Sequence, residues 1–94
     1  MDRTEALAAL AAAGLSASIR EWCVGQSIMV VSTPRMRGGL RTCSRMVYLY
    51  PEADGSWTID DCGYGEFDET RHRSLESAVA SVLAQVRRLP SWTR

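Results

Sequence analysis

The sequence predicts a small α+β domain. An antiparallel sheet of three to four strands carries an N-terminal and a C-terminal helix, in the order α-β-β-β-β-α. Three observations lead there. Leu75, Ala78, Val79, Val82, Leu83 and Val86 recur at three- and four-residue steps between Ser74 and Leu89, as on a helix with one apolar face. Ser44 to Tyr50 and Ser56 to Asp61 flank turn chemistry that includes Asp54-Gly55, as in a hairpin. Thr4 to Ala13 is made of strong helix formers and is followed at once by Gly14.

Taken in order, the first helix has Asp2 as its N-cap and Glu5 three residues later, a variant of the capping box. Its apolar face, Leu7, Leu10 and alanines, has little volume and suits close packing. Ala17 to Cys23 reads as a first strand, with imperfect alternation, ending at the Val24-Gly25-Gln26 turn signal. Ile28 to Thr33 is β-rich without clean alternation, which suits a central strand covered on both faces, and Pro34 ends it. In Ser44 to Tyr50, Val47 and Leu49 share one face while Met46, Tyr48 and Tyr50 share the other. Across the hairpin, Trp57 and Ile59 face the last helix and Thr58 and Asp60 face away. Cys62 to Arg73 reads as a loop into a helix capped by Ser74. A sheet this small has two edges and an open face, where Trp22, Tyr48, Tyr50 or Trp92 would lie, and dimerisation or a partner strand would cover them.

Ninety-four residues suffice for one domain, and 46% hydrophobic with 23% charged residues is the composition of a folded globular chain. Net charge is zero, which argues against nonspecific coating of DNA. All eleven basic residues are Arg, and Lys and Asn are absent, a bias expected of a GC-rich bacterial genome. Cys23, Cys43 and Cys62 are odd in number, widely spaced and without a CxxC pair, so a disulfide scaffold is not expected. Ala6 to Leu15 is short for a secretory core, and Asp2 and Glu5 carry the wrong charge for one. No run approaches the roughly 20 apolar residues of a membrane span. These features predict a cytoplasmic, reduced protein with no membrane partner.

Charge is segregated along the chain. The segment 35–45 places Arg35, Arg37, Arg41 and Arg45 around the flexible pair Gly38-Gly39. Guanidinium forks of this kind grip phosphates or acidic protein surfaces. From Glu52 to Glu69 the sequence holds Glu52, Asp54, Asp60, Asp61, Glu66, Asp68 and Glu69 and no basic residue. The two segments could also pair with each other.

Reactive motifs are missing. The acidic loop lacks the D-x-[DN]-x-[DN]-G spacing of a calcium loop, and the three cysteines with His72 contain no tight zinc knuckle. A Cys-His nucleophilic pair would rest on His72 alone, and no cysteine is marked for it by its neighbours. Gly38-Gly39 lacks the GxxxxGK[ST] frame, and the absence of Lys removes Schiff-base chemistry. No cofactor and no metal are expected. The order helix, strands, helix, with Arg71-His72-Arg73 before the last helix, is similar to that of double-stranded-RNA-binding domains. The lysine cluster those domains use is absent, and the preceding stretch is acidic, so the likeness is one of shape.

The expected function is that of a small non-enzymatic bacterial interaction protein of the immunity, antitoxin, adaptor or chaperone type. Asp60, Asp61, Glu66, Asp68 and Glu69 would meet a basic protein surface, with Tyr64 and Phe67 as apolar anchors. The alternative is a nucleic-acid-binding module with Arg35, Arg37, Arg41 and Arg45 on phosphates and Tyr48 or Tyr50 stacking on bases. A small Cys/His enzyme or metal protein is the third expectation.

Overall fold

The first helix, α1 (Arg3–Ala12), begins as its sequence predicts. Asp2 Oδ1 accepts from the Glu5 backbone N–H at 2.8 Å, and Glu5 Oε1 accepts from the Asp2 N–H at 3.1 Å, a complete capping box. Gly14, at φ 84°, ends it. The Gly14 N–H donates to the Ala11 carbonyl and the Leu15 N–H to the Leu10 carbonyl, a Schellman turn that presses Leu15 onto Leu10, both buried. This computed structural model describes residues 1–22, 25–31, 35–42, 46–61, 63 and 65–88.

Among the described residues seven strands follow: β1 (Ser16–Trp22), β2 (Gly25–Val31), β3 (Arg35–Arg37), β4 (Leu40–Thr42), β5 (Met46–Pro51), β6 (Trp57–Asp60) and β7 (Arg71–His72). Helix α2 (Leu75–Arg88) closes the order. Five of the strands form one antiparallel sheet in the order β1-β2-β5-β6-β7, and β3 with β4 forms a separate two-stranded ladder. The fold class is the expected α+β, but the sheet has five strands rather than three to four. The additional strand is β7, inside the stretch read as a loop. Two residues are too few for alternation to show, and β7 exists because Trp57 and Thr58 pair with His72 and Arg71.

Residues opposite one another in an antiparallel pair share a face, so register sorts the sheet into two sides. Ile28, Val30, Val47, Leu49, Trp57 and Ile59 turn one way and are buried with Ala6, Leu10, Leu15, Phe67 and the α2 stripe Leu75, Ala78, Val79, Val82 and Val86. α1 touches α2 and β1, and α2 touches β6 and β7, so both helices lie on that side. The faces predicted for β5 and β6 are those observed. The expectation that the second strand is covered on both faces holds only in part. β2 is central, and Ser27 is buried on the helix-free side, but Met29 on that side is half-buried because no helix crosses it.

Arg3 joins α1 to the sheet. Extending the β2–β5 register puts Pro51 opposite Gln26, and proline has no N–H to give the Gln26 carbonyl. The Arg3 guanidinium donates instead, through Nε at 3.1 Å and a terminal nitrogen at 2.9 Å, and lies 5.1 Å from the centroid of a Trp57 ring.

Candidate interaction surface

The two charged segments acquire different kinds of order. In the acidic one, Asp61 turns its carboxylate onto its own loop: Oδ2 accepts from the Glu66 N–H at 2.7 Å and Oδ1 from the Gly63 N–H at 3.2 Å. From the helix side, the Gln85 amide donates to the Glu66 carbonyl at 2.6 Å, and Arg88 in turn donates to Gln85 Oε1. Phe67 is only 8% exposed and belongs to the core. It fastens the loop to the domain, so its expected role as a free apolar anchor is corrected: its ring is already spent on intramolecular burial. Tyr64 lies outside the described residues. Asp60, Asp68 and Glu69 are exposed and Glu66 is half-buried.

The end of the loop is tied down by His72. Its Nε2 hydrogen-bonds the Glu69 carbonyl at 3.0 Å, and its Nδ1 meets the Ser77 hydroxyl at 2.8 Å. Since the carbonyl can only accept, Nε2 carries a proton and donates to it. The ring is 8% exposed, and both nitrogens are engaged in joining β7 to α2. The three cysteines lie outside the described residues. Among the described residues, no cluster of three His, Cys, Asp or Glu side chains could hold a metal ion.

The arginine segment is not the flexible loop the diglycine suggested. Gly38 and Gly39 have φ of 57° and 80°, the pair of positive values that a two-residue type I′ hairpin turn requires, and β3 and β4 pair on either side of it. Arg35 stands opposite Thr42, Met36 opposite Arg41 and Arg37 opposite Leu40. The arginines therefore split by register: positions 35 and 37 have one parity, and 41 belongs to the other. Arg45 lies outside the described residues. Val31 opposite Met46 and Arg35 opposite Thr42 are four positions apart on each strand, so the ribbon keeps the register of the β2–β5 ladder.

Between these segments lies the helix-free face of the sheet. Met29, Tyr48 and Asp60 form one row across β2, β5 and β6, and Tyr50, Thr58 and Arg71 form the next across β5, β6 and β7. The Tyr48 and Tyr50 rings stack with centroids 5.8 Å apart at 24°. Thr58 donates to Glu52 Oε1 at 2.8 Å, and Arg71 reaches Asp54 Oδ2 at 3.2 Å. Asp54 also accepts from the Ser56 hydroxyl at 2.5 Å and the Ser56 N–H at 2.9 Å. These Ser56 bonds, followed by the Arg71 guanidinium, hold its carboxyl below the ordinary value of 3.8. A cavity of about 450 Å³ is lined by Tyr50, Pro51, Glu52 and Ala53, at the end of β5 away from the arginine ribbon.

Gln85 and Arg3 were not singled out from sequence. For Gln85 a signal exists, since it falls three residues after Val82 inside the apolar stripe of α2, where a polar side chain implies a buried partner. For Arg3 there is none, because its partner depends on a proline in a strand far along the chain.

No family model, curated protein or solved structure matches this chain. Among the described residues, no helix is long and apolar enough to cross a membrane.

Proposed function

We propose that this chain is a small non-enzymatic binding module of the immunity, adaptor or chaperone type that holds a basic protein surface. Asp60, Asp68 and Glu69 supply the charge. The supporting observation is the stitching of the acidic loop: Asp61, Gln85, Phe67 and His72 fix its backbone while those other carboxylates stay exposed. A loop ordered before binding loses less conformational entropy on docking, which favours affinity. The row Met29, Tyr48 and Asp60 extends the surface with apolar and aromatic groups of the kind that anchor interfaces. Against an enzymatic reading stands His72, whose two ring nitrogens are both in structural hydrogen bonds. The composition fits a bacterial cytoplasmic setting, where the cysteines remain thiols.

The test compares capture from the native host by the wild-type chain and by a chain carrying Asp60→Lys, Asp68→Lys and Glu69→Lys. A stoichiometric basic protein retained by the first and lost by the second supports the reading. Equal capture by both removes the acidic surface from it.

The arginine ribbon favours a second reading, a nucleic-acid module, because a two-stranded ribbon with arginines on both parities is a form that fits the major groove. A salt titration with duplex and single-stranded oligonucleotides decides it. Phosphate-driven binding weakens steeply as salt rises, and no binding at low salt ends that reading.

A further inference from the structure

The two edges of the main sheet are unequal. β7 has two residues, whereas β1 has seven and contains no proline. The Ser27 hydroxyl on β2 donates to the Arg20 carbonyl at 3.3 Å, so that carbonyl points toward β2. Backbone direction alternates along an antiparallel strand, so Ala17, Ile19 and Glu21 turn their N–H and C=O groups outward, to the edge. Ile19 is 39% exposed. Among the described residues, no backbone partner outside the sheet takes these outward groups. The edge thus combines main-chain bonding capacity with an exposed apolar side chain at its centre.

We propose that β1 pairs antiparallel with β1 of a second copy, centred on Ile19, so that one sheet runs through both chains. The pattern is its own complement. With Ile19 opposite Ile19 of the second copy, Ala17 stands opposite Glu21, and every outward N–H and C=O of these residues meets its counterpart. The same register sets Ser18 against Arg20 on the other side, with no like charges opposed. Sliding by two residues one way sets Arg20 against Arg20, which is repulsive. Sliding the other way sets Glu21 against Leu15, which precedes the strand. Glu21 is already bonded by its own Gln26 amide at 2.7 Å, and the small Ala17 leaves room beside that pair. Zero net charge means two copies do not repel at long range. β1 lies at the opposite edge of the sheet from β7 and the acidic loop, so the pairing does not cover Asp60, Asp68 and Glu69.

Sedimentation of the full-length chain over a range of concentrations tests the proposal, with hydrogen exchange as the second readout. The wild type is expected to sediment as a dimer, and the Ile19 and Glu21 amides are expected to gain protection as concentration rises while Ser18 and Arg20 amides, already in the β1–β2 ladder, do not. Ile19→Arg opposes like charges at the centre, and Ile19→Pro deletes the outward donor without touching that ladder. Each should raise the dimer dissociation constant by about tenfold or more. A wild type that stays monomeric at all concentrations overturns the proposal and leaves the edge to a strand from another protein. So does a dimer that both variants preserve. If the variants fail to fold, wild-type Ile19 and Glu21 exchange that is independent of concentration is equally decisive against it.

Discussion

The acidic loop at 60–69 and the arginine ribbon at 35–42 look alike in composition, both being charged and glycine-containing, yet they are held by opposite means. Past Asp60, the described residues of the loop have no ladder of their own. Its order comes from side chains reaching main chain, Asp61 to Glu66 and Gly63, Gln85 to Glu66 and His72 to Glu69, and from Phe67 in the core. The ribbon is held by main-chain pairing across a turn of two glycines in left-handed geometry. Disturbing the loop therefore disturbs the core beneath it, whereas disturbing the ribbon should stay local. A charged segment becomes a presented surface only when something else fixes its backbone, and here two unrelated devices do so.

The largest expected effect breaks the loop side of this contrast. Phe67→Ala should cost about 3–5 kcal/mol, a large part of the stability of a domain this size, and urea unfolding followed by circular dichroism measures it. If Phe67→Ala proves nearly neutral, the loop is not part of the core. Next comes Gln85→Leu, which keeps bulk but takes the donor from the Glu66 carbonyl. A loss of about 1–3 kcal/mol is expected by the same denaturation assay, along with faster amide exchange at Glu66. Exchange that is unchanged at Glu66 would mean that Asp61 alone orders the loop.

On the ribbon side, Gly38→Ala forces a β-carbon into positive φ at a cost of about 1 kcal/mol. Nothing lies within 4 Å of the added atom, so the strain is purely backbone. Nuclear magnetic resonance should show shift changes confined to β3 and β4 and an almost unchanged global unfolding midpoint. Changes that spread into Val47 or Leu49 would show the ribbon to be coupled to the core after all.

The smallest effect concerns Asp54. Its folded value lies below the ordinary one, chiefly through Ser56 and then Arg71, so its contribution is present above pH 3.8 and fades as pH falls through the lower folded value. Asp54→Asn should be slightly less stable than wild type at neutral pH and converge with it in strong acid. Paired unfolding curves at the two pH values read this out, and a gap that persists in acid would assign the effect to something other than ionisation.

Local signals were enough for much of the fold. The capping box at Asp2 and Glu5, the stop at Gly14, the stripe of α2 and the two faces of β5 and β6 are all decided by neighbours within a few residues, where side-chain period and turn chemistry act directly. Of the candidate site, the exposure of Asp60, Asp68 and Glu69 was legible because charged side chains stay in water. Phe67 was misread, since an aromatic residue among charges looks the same on paper whether it faces solvent or the underside of a helix. β7 with its buried His72, the burial of Gln85 and the tie from Arg3 to the Gln26 carbonyl depend on partners far along the chain, 19 and 23 positions away for Gln85 and Arg3. Only tertiary packing decides these contacts, because a hydrogen bond or a strand pair requires its second half to be brought alongside, and that proximity is set by the assembled sheet and helices rather than by any local stretch of chain.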